Sequence, residues 1–275
     1  MMEVSSLSLN LEQKVILDDI NLNIESNAIY GLIGQNGAGK STFFKSILNA
    51  SKHSGSIIVD DSPIKNNEIG KLIEYPYFYE NLSLLDNLKI HSNYLKIDFS
   101  EILEVLSTVG LSENRHQKVS ELSLGMKQRL GIARAFLGKN KMFLLDEPQN
   151  GLDPIWIKKI RGIFVECLKK PDVYSIISSH NLNELHKIVD YFIFMNAGKI
   201  ICKLKNRSDD SFLLIRSKDK IISHPEINYI GNGIYVSDME IENLPGSDVG
   251  KMNIDIKKIS LEELYEQIII HSSEV

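Results

Sequence analysis

Cysteine is scarce in this chain, with two residues, Cys167 and Cys202, among 275. Neither lies in a C-x-x-C pair, so the sequence gives no sign of a cysteine metal site or a disulfide framework. Cys167 falls on the apolar face of a predicted helix, where we expect a buried thiol. This sparse cysteine usage fits a reducing compartment.

A long apolar run and an excess of positive charge are also missing. No stretch approaches the roughly 20 apolar residues that cross a bilayer as a helix, so any membrane role must come through a partner chain. The formal net charge of −5 argues against bulk attraction to nucleic acid, and we expect no nucleic-acid partner. The chain is long enough for one large domain, or for one domain with an appendix.

A glycine-rich loop is the most informative segment that is present. Residues 34–41 match the phosphate-binding pattern G-x-x-x-x-G-K-[ST] at every fixed position. An apolar run at 29–33 predicts a strand before the loop, and 42–48 predicts a helix after it, as this chemistry requires. The alternative is a glycine loop that only closes a strand–helix unit. The predicted nucleotide contacts are Gly34, Gln35, Asn36, Gly37, Ala38, Gly39, Lys40, Ser41 and Thr42.

The chemistry of such a loop follows from its backbone. Successive N–H groups can point at one phosphate, and the next helix aims its positive dipole end there. Side chains at the glycine positions would obstruct that approach. Lys40 is then placed to reach the β- and γ-phosphates, and the Ser41 hydroxyl to ligate Mg²⁺.

The order of predicted elements indicates an α/β chain. Residues 3–33 predict short half-buried strands, 84–122 predict a helical insertion, and strands return at 141–146 and 173–178, followed by a hairpin at 191–204. Helix starts are predicted at Ser83, at Asp153 followed by Pro154, and at Ser260. The polar run 205–210 predicts a boundary. Beyond it we expect short strands, turns at 231–233 and 245–247, and a terminal helix.

Four further motifs follow the glycine loop. Residues 122–129 read Leu-Ser-Leu-Gly-Met-Lys-Gln-Arg, an apolar strand ends in Asp146-Glu147-Pro148, residues 151–154 read Gly-Leu-Asp-Pro, and His180 follows another apolar strand. In this order they resemble the signature, Walker B, D-loop and switch histidine of the ATP-binding cassette (ABC) ATPases. The resemblance covers about residues 3–204.

The resemblance implies a P-loop NTPase fold of the ABC ATPase type. Residues 1–204 would form the nucleotide-binding domain, with an antiparallel β subdomain and a helical subdomain at about 76–125. Residues 205–275 would form a small C-terminal α+β accessory region.

The resemblance also implies roles for single residues. Asp146 would hold Mg²⁺ through water, Glu147 would be the general base for the attacking water, and His180 would contact the γ-phosphate. The alternatives are a polar strand end for Glu147 and a solvated loop residue for His180.

Ser123, Gly125 and Asp153 are expected to act across a dimer. In the family, the helix that Ser123 and Gly125 open points at the γ-phosphate bound by the other subunit, where its dipole favours an anion. Asp153 would contact the partner subunit. A plain helix cap is the alternative both for Asp153 and for the helix start at Ser123. One loop and one signature per chain imply an ATP-dependent head-to-tail homodimer.

Three departures from the family pattern carry further hypotheses. Glu74 occupies the position usually held by glutamine, where it would act at the catalytic site and on Mg²⁺. A solvated loop residue is the alternative. Leu124 and Met126 alter the signature. The aromatic residue expected before 15–17 to stack on adenine is not apparent, so Leu11 or Val15, or a tyrosine from elsewhere in the chain, could support the base.

Glu74 and its neighbours, with the altered signature, are similar to ABC subunits of lantibiotic immunity and bacitracin resistance. The resemblance implies the Mg²⁺-dependent ATPase of an exporter that protects against such peptides. It would bind permease subunits at the cytoplasmic face of a bacterial membrane. Export of another drug, lipid or polysaccharide, or a non-transport ABC switch, are the alternatives.

Overall fold

The computed structural model describes residues 1–12, 14–74, 77–217, 226–239 and 254–272. The strands are β1 (Met2–Leu11), β2 (Lys14–Ile24), β3 (Ala28–Ile33), β4 (Ser54–Val59), β5 (Ile69–Leu72), β6 (Met142–Asp146), β7 (Tyr174–Ser178), β8 (Tyr191–Asn196), β9 (Lys199–Lys205), β10 (Phe212–Ser217), β11 (Ile227–Gly231), β12 (Ile234–Ser237) and β13 (Ile254–Ile259). The helices are α1 (Lys40–Ile47), α2 (Leu84–Leu95), α3 (Phe99–Thr108), α4 (Leu124–Phe136), α5 (Pro154–Leu168), α6 (Leu182–His186) and α7 (Leu261–His271).

The central sheet has the strand order β5-β6-β7-β3-β8-β9. Its strands pair in parallel, except that β9 returns antiparallel to β8. Every residue of β3 is buried, as expected for a parallel strand covered on both faces. Ser178 is in register with both Leu32 and Asp146. The carboxyl ends of β3, β6 and β7 therefore meet at one edge, where the glycine loop begins.

The amino-terminal strands form a separate antiparallel sheet of order β2-β1-β4. This sheet is the predicted antiparallel β subdomain. Its first two strands have 10 and 11 residues, so they are longer than the short strands expected from the sequence. Leu7, Leu17 and Ile24 are buried in one cluster with Phe43 and Phe44 of α1, so this sheet packs over the helix that follows the glycine loop.

The predicted helical insertion consists of α2 and α3, and α4 follows it. Ser83 caps α2 by accepting a hydrogen bond from the Asp86 N–H, 3.0 Å away, as the sequence predicted. Leu88, Leu106 and Leu130 from the three helices are fully buried in one cluster. A hydrophobic contact layer therefore joins this insertion to the central sheet.

The C-terminal region forms a second antiparallel sheet of order β11-β12-β10-β13, covered by α7. Ser260 and Glu263 make the predicted capping box. Phe212 of β10 packs on Phe192 of β8 with ring centroids 6.3 Å apart, so the core continues past residue 204. The boundary at 204 stays a prediction.

One expectation from the sequence, the burial of Cys167, needs correction, and another lies outside the described residues. Cys167 is only half-buried, whereas Cys202 is buried, because Cys167 lies at the edge of the buried stripe of α5 formed by Ile160, Phe164 and Leu168. Burial still raises the pKa of the Cys167 thiol. The predicted turn at 245–247, and the residues 75–76 beside Glu74, lie outside the described residues.

Candidate nucleotide-binding site

The glycine loop connects β3 to α1, as the sequence predicted. Gly39 caps α1 with φ 106°, in the left-handed region that glycine adopts without steric cost. A methyl group on Gly34 would lie 2.4 Å from the carbonyl oxygen of Met195 at the end of β8. At least one glycine is therefore required by packing inside the protein, in addition to any phosphate approach.

Lys40 is buried at the centre of this loop. Its Nζ donates hydrogen bonds to the carbonyl oxygens of Gly34 at 2.7 Å and Gln35 at 3.3 Å. An ammonium group has three donors, so one remains for an anion. The lysine thus adds positive charge to a loop whose backbone N–H groups already favour phosphate.

A cavity of about 380 Å³ opens above the loop, and we call it the nucleotide cavity. It brings together the start of β2, most of the glycine loop and the end of β6. Its lining residues are Lys14, Ile16, Gln35, Asn36, Gly37, Gly39, Lys40, Ser41, Thr42, Asp146 and Glu147. Gly34 and Ala38 lie in the same loop but are not among the residues that line the cavity.

The residues beside the expected base position differ from those suggested by the sequence. Lys14 and Ile16 line the nucleotide cavity, whereas Leu11 and Val15 do not line it and are exposed. Consecutive side chains of a strand point to opposite faces. Placing Lys14 and Ile16 on the cavity face therefore puts Val15 on the opposite face.

Asp146 is held by two hydroxyl groups. Ser41 Oγ donates to Asp146 Oδ2 at 2.6 Å, and Ser178 Oγ donates to Asp146 Oδ1. The same Ser178 hydroxyl accepts a hydrogen bond from the Glu147 N–H at 3.0 Å. Ser178 is fully buried and therefore fixes both acidic residues at once. Sequence reasoning missed it, since a serine inside an apolar strand carries no motif.

Glu147 has an unusual backbone conformation with φ 48°, which is rare for a non-glycine residue and marks local strain. Gln128 of α4 holds this turn by donating from Nε2 to the carbonyl oxygens of Glu147 at 3.3 Å and Pro148 at 3.1 Å. Glu147 Oε2 lies 2.9 Å from His180 Nδ1. Since an ionised carboxylate can only accept, the imidazole N–H donates in this bond.

Neither Glu74 nor His180 is among the residues that line the nucleotide cavity. Glu74 Oε1 pairs with Lys45 Nζ of α1 at 2.5 Å, and Glu74 also has a positive φ of 58°. His180 is 67% exposed and reaches the site through Glu147. The roles assigned to both residues stay predictions.

Oxygen donors suited to a divalent cation meet at Ser41 and Asp146. Across the part of the chain that the structure describes, no group of three or more His, Cys, Asp or Glu residues is arranged around a metal position. A cation held by one hydroxyl and one carboxylate completes its shell with water and phosphate oxygens. This is the habit of Mg²⁺, so these residues fit that ion.

Ser123, Gly125 and Asp153 lie together away from this cavity. Ser123 caps α4, and Asp153 caps α5 through bonds of 3.0 Å from the N–H groups of Ile155 and Trp156. A methyl group on Gly125 would lie 2.9 Å from the carbonyl oxygen of Gly151. The start of α4 therefore packs on the loop before α5, and both caps are exposed.

The fold and the phosphate loop define the class, an ATPase of the ABC type. Residues 17–150 match the family model described as ABC transporter. The chain is also 42% identical to a curated transport ATP-binding protein along 89% of that protein's length. It therefore belongs to the family of ABC transporter ATP-binding proteins and is the ATP-hydrolysing subunit of a transporter. Among its described residues, no helix has both the length and the apolar character needed to span a membrane.

Two relatives with named transport functions are similar to this chain. The chain is 42% identical over 205 residues to the lantibiotic transport ATP-binding protein SrtF of Streptococcus pyogenes, covering 73% of this chain and 89% of that protein. It is 40% identical over 193 residues to the bacitracin transport ATP-binding protein BcrA of Bacillus licheniformis, covering 67% of this chain and 63% of that protein.

Solved structures agree on the fold. The ATP-binding subunit of an ABC transporter superposes with a TM-score of 0.69 at 26% identity, over 74% of this chain and 90% of that one. A dimeric ATP-binding cassette in a post-hydrolysis state with ADP and Pi superposes with a TM-score of 0.68 at 22% identity, over 76% of this chain and 100% of that one. The predicted ABC ATPase fold is therefore confirmed.

Proposed function

We propose that this chain powers an exporter that protects a bacterium from a lantibiotic or a related peptide antibiotic. The transport functions named for SrtF and BcrA, at 42% and 40% identity, support this assignment. The observation that carries the catalytic part is the bonded set Ser41–Asp146–Ser178–Glu147–His180, which meets at the phosphate loop.

In the proposed reaction, the loop N–H groups and Lys40 bind the β- and γ-phosphates of ATP. Ser41 and Asp146 would hold Mg²⁺, which neutralises charge on those phosphate oxygens when it is bound. Glu147 accepts the proton of a water that attacks the γ-phosphorus in line. His180 donates to Glu147 and so orients the carboxylate toward the water.

In this proposal a second copy of the chain supplies further contacts to the bound ATP. Ser123, Gly125 and Asp153 are exposed or half-exposed on one surface, and the N-terminus of α4 favours an anion. We infer that two copies pack head to tail, each presenting these residues to the ATP of the other. Closure on ATP and opening after hydrolysis would then drive the membrane partner.

The remaining assignments concern place and partners. The chain would sit at the cytoplasmic face of the membrane, attached through integral-membrane permease subunits. Residues 1–204 would act as the nucleotide-binding domain, with the helical subdomain at about 76–125, and residues 205–275 would be accessory.

A complementation experiment tests the proposed function. The gene would be deleted from its host, and the deletion restored with the wild type, Glu147→Gln, or the matched surface control Glu166→Gln. We expect the deletion and Glu147→Gln to be sensitised several-fold to a lantibiotic or to bacitracin, and not to ciprofloxacin. Equal growth of all strains on a panel of peptide antibiotics would overturn the assignment.

A further inference from the structure

His180 is followed directly in the chain by the short helix α6. Asn181 caps this helix by accepting a hydrogen bond from the Glu184 N–H, 3.1 Å away, and its own N–H donates to Ser179 Oγ at 3.0 Å. His180 lies between Ser179 and Asn181, so its backbone is held from both sides. A shift of α6 would therefore move the imidazole that bonds Glu147.

The other end of α6 is held by Asn206. This residue opens the segment 206–211 between β9 and β10, which we call the junction segment. Its Nδ2 donates hydrogen bonds to the carbonyl oxygens of His186 at 2.8 Å and Val189 at 2.7 Å, and its backbone N–H donates to the Asp190 carbonyl oxygen at 2.8 Å. One asparagine therefore commits all three of its N–H groups to the end of α6 and the turn after it, where carbonyl groups lack partners within the helix.

The residues on either side of Asn206 are bonded to the C-terminal sheet. Arg207 donates from Nη1 to the carbonyl oxygen of Asp238 at 2.6 Å, directly after β12. The Lys205 N–H donates to the carboxylate of the same aspartate. Asn206 therefore links two parts of the molecule, α6 through its own bonds and the C-terminal sheet through its chain neighbours.

The middle of α6 is held by packing and by an ion pair with a neighbouring helix. Leu182 and Leu185 are buried in the main core, and Arg161 Nε of α5 lies 3.0 Å from Glu184 Oε2. Apolar packing is non-directional, so it opposes exposure of the helix more than a small shift along its axis. The hydrogen bonds from Asn206 are directional and fix the end of the helix against such a shift.

We propose that Asn206 is a positioning residue for ATP hydrolysis, which holds His180 beside Glu147 through α6. Because its neighbours anchor Asn206 to the C-terminal sheet, the placement of His180 depends on residues outside the predicted nucleotide-binding domain. The inference rests on the roles proposed above for His180 and Glu147. It gives residues 205–275 an influence on turnover, in addition to an accessory role.

Steady-state ATP hydrolysis by the full chain tests the proposal, with the His180 imidazole followed by NMR. Asn206→Ala is the main variant and removes the amide donors. Arg207→Gln is the second, because it weakens the bond to Asp238 and leaves Asn206 in place. Asn140→Ala is the matched control, since Asn140 is also half-buried and donates from Nδ2 to carbonyl oxygens at the end of a helix, α4.

We expect Asn206→Ala to lower kcat about tenfold, as for loss of a buried hydrogen-bonding group, and to shift the His180 resonance. The KM for ATP should stay the same, because the residues that line the nucleotide cavity are unchanged. Arg207→Gln should act in the same direction by a smaller factor. Asn140→Ala should match the wild type in both kcat and the His180 resonance.

A double-mutant cycle separates positioning from plain destabilisation. If Asn206 acts through His180, Asn206→Ala should lower kcat no further in a chain that already carries His180→Ala, because both changes interrupt the same path. Additive losses in the double variant would refute the positioning role. So would an unshifted His180 resonance with a wild-type kcat in Arg207→Gln, which decides the question if Asn206→Ala does not fold.

These results separate the inference from the proposed function. Wild-type hydrolysis by His180→Ala would contradict the role proposed for His180, and the positioning role of Asn206 with it. Slow hydrolysis by His180→Ala beside wild-type rates for both junction variants would contradict the positioning role alone. The transported substrate is tested separately, by the complementation experiment.

Discussion

The nucleotide cavity differs from a second cavity, which lies between β5, α2 and the end of α4 and which we call the basic cavity. Both are lined by charged residues, but they differ in whether those residues have partners of opposite charge or hydrogen-bond partners within the chain. In the nucleotide cavity, Lys40, Asp146 and Glu147 each have a partner within the same chain. In the basic cavity, Lys71, His91 and Arg134 meet no acidic residue in the lining.

The difference lies in how the charged groups are held in place. Internal hydrogen bonds hold the nucleotide site in place while ATP comes and goes, which is the preorganisation that catalysis requires. The basic cavity lacks such internal pairing, since none of the residues that line it is acidic. Arg134 of α4 lines the basic cavity, and Gln128 of the same helix bonds the backbone of Glu147, which lines the nucleotide cavity.

The largest effect is expected from replacing Glu147, the proposed general base in the nucleotide cavity. Glu147→Gln should lower kcat by about 100-fold or more, while ATP binding persists and an ATP-bound dimer accumulates. Single-turnover kinetics and size-exclusion chromatography with ATP would check this. Glu166→Gln on the exposed side of α5 is the control, and normal turnover by Glu147→Gln would remove the glutamate from the base role.

A smaller effect is expected from Ser178→Ala. This change removes the hydroxyl shared by Asp146 and the Glu147 N–H, and we expect kcat to fall about tenfold, as for loss of a buried hydrogen-bonding group. Ser175→Ala is the matched control, because Ser175 is buried in the same strand but bonds the Leu168 carbonyl oxygen. Equal steady-state rates for the two variants would show that the shared hydroxyl is dispensable.

Gln128→Met tests the connection between the cavities. It leaves the carbonyl oxygens of Glu147 and Pro148 without this donor, so we expect a stability loss of about 1–3 kcal/mol and a several-fold lower kcat. Urea unfolding and steady-state kinetics would measure both. Gln267→Met on α7 makes the same change at a residue that lines neither cavity. An unchanged kcat in Gln128→Met would argue against communication through α4.

Glu74→Gln probes the glutamate that follows β5 in the chain. The change removes the ion pair with Lys45, which is exposed and worth little to stability, about 0–1 kcal/mol. We expect the Mg²⁺ concentration needed for half-maximal hydrolysis to change more than the affinity for ATP. Matching Mg²⁺ titrations, together with unchanged peptide tolerance in cells, would contradict the special role of Glu74.

The smallest effect on turnover is expected at His91, where the change is in stability at acid pH. Its folded pKa is lowered to about 4 from 6.5, so between those values the unfolded chain takes up a proton that the folded chain does not. Stability should therefore fall as the pH drops through this window. Urea unfolding at several pH values should give a flatter profile for His91→Gln than for the exposed control His116→Gln. Identical profiles would contradict burial of an uncharged imidazole.

Predictions from the sequence agree best with the structure where one short segment determines both the side-chain chemistry and the backbone conformation. The glycine loop, the caps at Ser83, Asp153 and Ser260, and the 191–204 hairpin were predicted because local rules fix them. Asp146 and Glu147 meet the loop because the carboxyl ends of the parallel strands β6, β7 and β3 share one edge of the sheet.

Contacts set by long-range packing were not accessible in the same way. Ser178, Gln128 and the pairing of Glu74 with Lys45 depend on which side chain faces which neighbour after folding. The face of β2 that lines the nucleotide cavity depends on how this strand packs after folding, and a one-residue error moves a side chain to the opposite face. The burial of Cys167 was overestimated for a related reason, its place at the margin of the helical stripe.

Contact between Phe192 and Phe212 also limits how this protein can be divided. A fragment that stops at residue 204 would expose the aromatic surface of β8 to water and would tend to self-associate. If the last 70 or so residues are exchanged between related subunits, the new residues must therefore fit the surface of β8 around Phe192. A recombinant enzyme for kinetic work should retain these residues.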